Sequence, residues 1–593
     1  MFTTRPEIAG TFGVVASTHW LASQVGMAVL ERGGNAFDAA VAAGFALHVA
    51  EPHLNGPGGD APIIIHDART GMQHVICGQG VAPQNATLGH FHDLGLDLIP
   101  GTGLLPAVVP GAFDAWCLML RDWGTWELPD ILEYTIGYAL NGIHIVPRIS
   151  AAIEGVRPLF QQEWKTSAEV FLPGGKTPAP GSLFARPALA ATWQRICREA
   201  TGSSREARID AARKAFYGGF VAEAIDRFCR NTEILDVSGR RHRGLLTGED
   251  MARWSASIEA PLRYDYRGHT VLKCGVWSQG PVFLQQLALL KGFDIAGLDP
   301  LGADFVHTVV EAAKLAYADR EAFYGDPNFV SVPIEHLLSD HYNDERRTLI
   351  GETASMVLRP GSVPGFAGVV DHDAASRASL LASDIAGTGE PTVARLGVSG
   401  ADTCHIDVID RFGNMVSATP SAGWLQSSPV VPELGFPLGT RGQMFWLREG
   451  WPNSLAPGKR PRTTLSPSFA LRDGKAWMPF GTPGGEQQDQ WSLTFFLRTV
   501  DHGMGIQQAI DAPSFHCEHW PSSFWPRVAR PGKVVIEGRY PDQVLAALRA
   551  RDHLAEKGED WSEGRLSGAR LETDGQLFAG ANPRGMQGYA VGR

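Results

Sequence analysis

Cysteine pairs are missing from this sequence. Its 593 residues include seven cysteines, and no two of them form a CxxC motif. Disulfide-stapled domains and zinc ribbons need closely spaced cysteine pairs, so both classes are excluded. The seven are scattered along the chain, at Cys77, Cys117, Cys197, Cys229, Cys274, Cys404 and Cys517. We therefore expect a protein of a reducing compartment.

Long apolar runs and an excess of positive charge are also missing. No stretch of about 18 apolar residues occurs, so no membrane span is expected. The N-terminal segment MFTTRPEIAGTFG lacks the apolar core of a secretory signal. The net charge is −11, whereas nucleic-acid binding requires clustered Lys and Arg. These absences predict a cytoplasmic protein without a membrane or nucleic-acid partner.

Several standard catalytic and cofactor motifs are absent as well. The sequence has no GxSxG, no GxGxxG between a strand and a helix, and no HExxH. Gly174–Thr177 (GGKT) resembles the end of a phosphate-binding loop, but Val170 stands where its first glycine belongs. His90–His92 and His516–His519 each lack the further nearby ligands that a metal requires. We predict no cofactor and no metal.

What is present is an alternation of helical and strand patterns. Apolar residues recur at helical spacing from Ser17 to the Gly33-Gly34 pair, which is typical of a helix end. Ala39–Ala50 is nearly all small and apolar, which predicts a helix buried on most sides. Ala61–His66 has the composition of a buried strand, and Asp304–Tyr324 is the clearest long amphipathic helix. The pattern predicts a mixed α/β protein.

The character of the chain changes twice in its second half. Residues 352–402 are rich in Pro, Gly, Ala and Ser and have weak periodicity, which indicates a long flexible loop. From Thr403 the pattern is a β-hairpin, with strands at Cys404–Asp410 and Met415–Ala418 around a turn. A strand-rich stretch near 464–480 then leads into Gly484-Gly485 and a helix from Gln487 to Val500.

Two of these features carry possible chemistry. Adjacent glycine N–H groups at a helix start, as at Gly484-Gly485, can face an oxyanion. A threonine at a strand start, such as Thr403, can act as a nucleophile when a base is near. Taken alone, the first is equally explained by a turn and the second by the β preference of threonine.

Nine segments taken together are far more specific. In order they are 31–59 (ERGGNAFDAAVAAGFALHVAEPHLNGPGG), 108–116 (VVPGAFDAW), 246–254 (LTGEDMARW), 263–268 (RYDYRG), 317–330 (YADREAFYGDPNFV), 402–419 (DTCHIDVIDRFGNMVSAT), 457–468 (PGKRPRTTLSPS), 482–490 (TPGGEQQDQ) and 511–516 (DAPSFH). They resemble the gamma-glutamyltransferase family of autoprocessing N-terminal-nucleophile (Ntn) hydrolases. The resemblance covers the chain almost end to end.

The resemblance implies an architecture. It implies one α/β domain, the four-layer αββα sandwich of Ntn hydrolases, formed by two autoproteolytic subunits. Cleavage of the Asp402–Thr403 bond would give a large subunit of residues 1–402 and a small catalytic subunit of residues 403–593. Residues 352–402 would then be the pre-cleavage segment. A dimer of two such heterodimers is the expected assembly.

The resemblance also implies roles for particular residues. Thr403 would be the nucleophile, and its α-amine, which ordinarily titrates near 8, would be the base once cleavage frees it. Thr419 would orient Thr403, and Gly484 and Gly485 would form the oxyanion hole. The substrate-binding residues would be Ser421, Gln443, Thr463 and Thr464. The alternative for the threonines is an ordinary place in a strand.

The sequence departs from the family where a γ-glutamyl group would be held. Gln79 stands where the family has an arginine for the α-carboxylate, and Phe445-Trp446 replaces acidic residues for the α-amine. Gly423 replaces an asparagine. An unpaired ammonium in an apolar pocket is costly, so glutathione should be a poor substrate. We hypothesise that Arg441 or Arg462 binds a carboxylate of a substrate without an α-amine; the alternative is a structural ion pair for each.

These observations lead to four functional hypotheses. The first is an autoprocessed N-terminal-threonine amidohydrolase or acylase that cleaves an amide of a small acidic acyl substrate, possible examples being oxamate-like compounds. The second is a gamma-glutamyl hydrolase or transferase that acts on glutathione or other gamma-glutamyl compounds. The third is a C–C bond hydrolase of a biosynthetic pathway. The fourth is an uncleaved binding protein, against which the retained Thr403, Thr419 and Gly484-Gly485 argue.

Overall fold

A computed structural model describes residues 3–377 and 403–593 of the chain. The part of the predicted 352–402 loop that begins at 378 lies outside the described residues, as does Asp402. The described remainder of that loop packs against the body of the protein. Asp371 there is buried and forms ion pairs with Arg377 and Arg448.

The strands of the described chain, in order, are β1 (Ile8–Gly10), β2 (Gly13–Ser17), β3 (Ala61–Asp67), β4 (Met72–Gly78), β5 (Ile143–His144), β6 (Leu183–Phe184), β7 (Ile234–Leu235), β8 (Arg241–His242), β9 (Ser257–Glu259), β10 (Leu262–Tyr266), β11 (His269–Lys273), β12 (Ile406–Asp410), β13 (Met415–Ala418), β14 (Val430–Val431), β15 (Phe436–Pro437), β16 (Ser468–Arg472), β17 (Lys475–Gly481), β18 (Phe515–Cys517), β19 (Lys533–Ile536), β20 (Leu554–Lys557), β21 (Ser567–Leu571), β22 (Leu577–Ala581) and β23 (Tyr589–Gly592).

The α-helices are α1 (Trp20–Glu31), α2 (Ala36–Ala50), α3 (Leu88–Asp93), α4 (Ala112–Trp123), α5 (Leu128–Asn141), α6 (Pro147–Gln162), α7 (Lys165–Phe171), α8 (Pro187–Glu199), α9 (Arg205–Tyr217), α10 (Phe220–Asn231), α11 (Gly248–Arg253), α12 (Pro281–Leu290), α13 (Ala303–Phe323), α14 (Ile334–Leu337), α15 (Asp340–Arg347), α16 (Gln488–Val500), α17 (Ile506–Asp511) and α18 (Asp542–Ala550).

Two seven-stranded sheets form the centre of the molecule. The first has the order β1-β22-β21-β17-β16-β11-β10, and the second the order β23-β2-β12-β13-β3-β4-β9. Helices α12, α16 and α17 contact the first sheet, whereas α1, α2 and α4 contact the second. The arrangement is therefore four layers, αββα, as predicted.

The side-chain alternation of the strands explains these layers. In β3, Ile63 and Ile65 belong to the apolar cluster on the helix side, while Ile64 belongs to the cluster between the sheets. In β16, Ala470 faces the helices and Phe469 faces the opposite sheet. Successive strand residues point to opposite faces, so strands covered on both faces need apolar residues at nearly every position.

The predicted hairpin is confirmed. Strands β12 and β13 pair antiparallel, with Ile406 opposite Ala418 and Ile409 opposite Met415. The turn between them is held by Asp410, whose carboxylate accepts from the N–H groups of Phe412 and Asn414 at 2.9 and 3.0 Å. This hairpin lies in the middle of the second sheet, between β2 and β3.

The predicted long helix is confirmed, but the prediction that it is amphipathic was wrong. Helix α13 exists at Ala303–Phe323, but it is not amphipathic, because every residue from Val309 to Phe323 is buried. It lies in the same apolar cluster as α12, β18 and β19, and is therefore covered on several sides. Its polar residues are neutralised by buried ion pairs, such as Lys314 with Glu311 at 2.6 Å.

Among the described residues, no helix is both long enough and apolar enough to cross a membrane.

Candidate active site

Thr403 lies immediately before β12 and is held by the segment that follows β13. Its backbone forms a β-bridge with Ser421, and the N–H of Cys404 donates to the carbonyl of Pro420 at 2.9 Å. The Oγ1 of Thr403 lies 3.1 Å from the Oγ of Ser421. Thr403 is 1% exposed. The hairpin thus fixes two predicted site residues, Thr403 and Ser421, in direct contact.

A hydrogen-bonded chain of side chains runs along the same face of the hairpin. The Nδ1 of His405 lies 2.9 Å from the Oγ1 of Thr419, and its Nε2 lies 3.0 Å from the Oδ1 of Asp407. The second oxygen of Asp407 accepts from Ser567 at 2.7 Å. Because an ionised carboxylate only accepts, Nε2–H of His405 must donate to it, and in neutral histidine Nδ1 then accepts from the Thr419 hydroxyl.

Cys404, the residue after Thr403, is anchored by side chains that follow the end of α2. The Sγ of Cys404 donates to the Glu51 carboxylate at 3.0 Å and accepts from the Nδ2 of Asn55 at 3.0 Å. Burial raises the pKa of the Glu51 carboxyl, although hydrogen bonds from Cys404 and Thr18 oppose the rise. The Asn55–Asp60 loop follows directly. A side chain at Gly59 would meet the Ser421 carbonyl at 2.0 Å, which accounts for glycine there.

Gly484 and Gly485 lie between β17 and α16. Gly484 has φ of +127°, and a Cβ there would lie 2.9 Å from the Trp491 ring, so a larger residue is strained. The carbonyl of Gly485 accepts from the side chain of Gln279 at 3.2 Å and from the N–H of Gln488 at 3.2 Å. Within residues 3–377 and 403–593, neither glycine N–H donates to a described acceptor. Two donors before a helix thus remain available for an oxyanion.

Gln279 connects the Thr463-Thr464 segment to Gly485. The N–H of Gln279 donates to the Thr463 carbonyl at 2.9 Å while its side chain contacts Gly485. The Thr463 hydroxyl accepts from the N–H of Leu465 at 3.3 Å. The Thr464 hydroxyl is buried and has no hydrogen-bond partner in the described part of the chain. Of this pair, Thr464 offers the polar group that is still available.

Arg441 is connected to the segment around Thr403 by its ion pair with Asp60. The backbones of Asp60 and Ser421 form a β-bridge, and the Nε of Arg441 donates to Asp60 at 2.9 Å. Both side chains are buried, and burial raises the pKa of Asp60 while Arg441 opposes the rise. The Arg441 guanidinium also lies over the rings of Trp424 and Phe524.

One donor of Arg441 is not used. Its Nη1 has no partner among the described residues. The Gln79 side chain, at the position where the family has an arginine, also opposes the rise in the pKa of Asp60. Arg441 and Gln79 therefore both act on the Asp60 carboxylate.

Arg462 and Gln443 have a different environment. Arg462 donates to Glu321 at 2.5 Å and to the carbonyl of Arg320 at 2.9 Å, and burial lowers its pKa to about 10. Arg462 therefore forms a structural ion pair, and none of these contacts connects it to Thr403 or Ser421. The side chain of Gln443 bonds Gly101, Thr440 and the N–H of Trp525, so it braces three segments.

One group of metal-ligating side chains lies elsewhere. His307, Glu311 and His553 bring their ligand atoms within 4.8 Å of one another. However, the ring nitrogens of His307 already bond His553 at 2.8 Å and the Gly351 carbonyl at 2.9 Å. The Lys314 ammonium lies 2.6 Å from Glu311, where it competes with any cation. These contacts occupy both ring nitrogens of His307 and a carboxylate oxygen of Glu311, although the buried Nδ1 of His553 has no partner among the described residues.

Sequence reasoning missed His405, Asp407, Asp60 and Gln279. For His405 and Asp407 a signal existed, because residues 403, 405 and 407 alternate along an extended segment and therefore share a face. Asp60 and Gln279 gave none, since their partners lie far away along the chain.

Known proteins resemble this chain over almost its whole length. The family model of gamma-glutamyltranspeptidase matches residues 22–592. The glutathione hydrolase-like YwrD proenzyme of Bacillus subtilis is 32% identical, and the alignment covers 99% of both chains. The oxamate amidohydrolase proenzyme of Klebsiella pneumoniae is 30% identical, with 98% of both covered. The solved structure of LmbA2991HD is 56% identical, covers 100% of both chains and superposes with a TM-score of 0.93.

Proposed function

The chain belongs to the gamma-glutamyltranspeptidase family of hydrolases, and from this premise we propose that it is an autoprocessing amidohydrolase with an N-terminal threonine nucleophile. Its substrate is an amide of a small acidic acyl group, such as oxamate. The observation that carries the proposal is the joint placement of the Thr403 hydroxyl, the Thr419–His405–Asp407 chain and the partly unpaired Arg441 around Ser421. The proenzyme names of the two relatives support the autoprocessing step.

Autoprocessing uses the nucleophile before its base exists. The Thr403 hydroxyl attacks the carbonyl carbon of Asp402, the peptide bond breaks, and the nitrogen leaves as the free α-amine of Thr403. Water then hydrolyses the ester on Asp402. The products are residues 1–402 with a new carboxylate and residues 403–593 with a new amine.

The catalytic cycle then uses both groups of Thr403. The α-amine takes the hydroxyl proton as Oγ1 attacks the amide carbonyl of the substrate, and the same proton leaves with the departing amine. The N–H groups of Gly484 and Gly485 stabilise the negative oxygen of the intermediate. Water cleaves the resulting ester, which regenerates Thr403. For oxamate the products are oxalate and ammonia.

Substrate choice follows from the charges beside Ser421. Arg441 has one unused donor and lies in an apolar surround of Trp424 and Phe524. In such a surround a charge-assisted hydrogen bond to a carboxylate is strong. The Thr464 hydroxyl provides a second polar contact. A small acid without an α-amine fits these partners better than a γ-glutamyl group does.

The experiment compares three amides with purified, processed enzyme. We expect ammonia release from oxamate, at least tenfold slower release from oxamide, which has an amide in place of the carboxylate, and little p-nitroaniline from a γ-glutamyl anilide. Thr403→Ala should abolish all three. If the γ-glutamyl anilide reacts faster than oxamate, the gamma-glutamyl hydrolase alternative is correct and this proposal is wrong.

A further inference from the structure

A buried group of arginines lies beside the candidate active site. We call Arg320, Arg462 and Arg527, with the carboxylates of Glu321 and Glu486, the arginine cluster. The three arginines are each at most 1% exposed. Three guanidinium groups against two carboxylates leave the arginine cluster with an excess of positive charge.

The two carboxylates are already used by two of the arginines. Glu321 accepts from Arg462 at 2.5 Å and from Arg320 at 2.6 Å. Glu486 lies 3.5 Å from Arg320. Arg527 forms no ion pair with a described carboxylate; its Nη1 donates to the carbonyls of Met444 and Phe445 at 2.9 and 3.2 Å. Arg527 therefore carries the uncompensated charge.

The unused donors of Arg527 form a fork. Its Nε and Nη2 are buried and have no partner in the part of the chain that the structure describes. These two N–H groups lie on the same edge of the guanidinium, which is the edge that binds a carboxylate with two parallel hydrogen bonds. A buried donor that lacks a partner is costly.

The guanidinium of Arg527 is buried against an aromatic ring. Its centre lies 3.6 Å from the ring centroid of Trp446, at cation–π distance. Burial lowers the pKa of Arg527 to about 9, because carboxylates compensate its charge poorly. The group stays protonated at neutral pH. Arg527 also has φ of +59°, a conformation that most residues avoid.

Arg527 and Arg441 both contact members of one small apolar cluster. Met444, whose carbonyl accepts from Arg527, packs with Ala422, Trp424 and Phe524. Arg441 lies over the rings of Trp424 and Phe524 in that same cluster. Ala422 follows Ser421, which contacts Thr403. Both guanidinium groups thus adjoin the apolar cluster that contains Ala422, one residue after Ser421.

We propose that Arg527 binds a second carboxylate of the substrate, on the side of the departing amine. This rests on the proposed function, in which Arg441 binds the carboxylate of a short acyl group. An acyl group as small as oxalyl ends at Arg441, so a second carboxylate must belong to the amine half. The preferred substrate class is then an N-acyl amino acid with a carboxylate at each end.

The test uses N-oxalylglycine, which has both carboxylates, and oxamate, which has only the acyl one. In the wild type, kcat/KM for N-oxalylglycine should exceed that for oxamate at least tenfold. In Arg527→Gln this ratio should fall at least tenfold through KM, and Arg527→Lys should be intermediate. The control is Arg530→Gln, a half-exposed neighbour paired with Glu518, for which the ratio should stay the same.

Binding measurements separate this inference from the proposed function. If neither compound is hydrolysed, the proposed function fails, but calorimetric titration still tests Arg527. The wild type should bind N-oxalylglycine at least tenfold more tightly than Arg527→Gln does. Equal binding by the two proteins, or no binding by the wild type at 10 mM ligand, would overturn the inference. So would an equal loss of activity on both substrates, which indicates a structural role.

Discussion

The Nδ1 of His405 lies 2.9 Å from the Oγ1 of Thr419, on the strand that begins beside Thr403. With Nε2 of His405 on Asp407, this contact fixes the direction of the Thr419 hydroxyl. Thr419 would then present its lone pairs to the Thr403 amine and hydroxyl. His405 acts through Thr419 and is a positioning residue.

Replacing His405 should misplace the nucleophile without removing it. We expect His405→Gln to slow both cleavage of the precursor and kcat by about 10- to 100-fold, with KM changed less than threefold, since small misplacements cost this much. Cleavage on denaturing gels and steady-state kinetics measure the two rates. His66→Gln, a buried histidine elsewhere in the same sheet, is the control. A His405→Gln enzyme with wild-type rates would exclude the positioning role.

Arg441 and Arg462 should differ in their effect on substrate binding. Arg441→Lys keeps a charge for Asp60 but loses the forked guanidinium, so we expect KM for oxamate to rise about tenfold. Arg462→Lys, whose partner is Glu321, should change KM less than threefold. Lysine is used because removing the charge would leave Asp60 buried and unpaired and would take from Glu321 one of its two arginine partners. The reverse order of the two KM values would assign the carboxylate to Arg462.

Gly484 should be sensitive for two reasons that can be separated. Gly484→Ala puts a Cβ 2.9 Å from Trp491 and disturbs an oxyanion donor, so kcat should fall about 10²- to 10³-fold. Gly474 also has positive φ, +75°, but a Cβ there has nothing within 4 Å. Gly474→Ala should lower the unfolding temperature slightly and leave kcat intact. A similar loss of kcat in both variants would point to backbone strain alone.

The stability of the protein should depend on pH through His516. Burial alone would lower the pKa of His516, but the carboxylates of Glu563 and Glu518 raise it to about 10. A raised pKa means that the folded state binds the proton more tightly than the unfolded state. The contribution is therefore complete below about 6.5 and is lost as the pH rises toward 10.

Urea unfolding at several pH values measures this contribution. Between pH 7 and pH 9.5 the wild type should lose more unfolding free energy than His516→Gln, which lacks the titrating ring. The ring lies 2.5 Å from Glu563, so the variant will itself be less stable, and only the slope with pH is compared. Identical slopes would mean that His516 is not charged in the folded protein.

The sequence patterns predicted the hairpin well because both of its signals are local. Alternation sets the two faces of β12, and the Asp410 turn sets the register, in which Ile406 pairs with Ala418. The same alternation would have placed His405 beside Thr403 and Asp407. A histidine inside a strand is usually a packed residue, and the sequence alone could not favour the functional role.

The remaining differences depend on distant parts of the chain. Arg441 and Arg462 look alike in sequence, but their partners Asp60 and Glu321 lie 381 and 141 positions away. The charged residues of helix α13 make it look amphipathic in the sequence, because charged residues usually mark an exposed face. They are buried in ion pairs, which no helical periodicity reveals.

The central claim is that Thr403 becomes an N-terminal nucleophile through cleavage of its own peptide bond. Intact mass spectrometry of the purified wild type, beside Thr403→Ala, tests it most directly. We predict two chains for the wild type, with masses of residues 1–402 and 403–593, and one chain of 593 residues for Thr403→Ala. A wild type that remains a single chain, or a small chain that begins at a residue other than Thr403, would contradict the account.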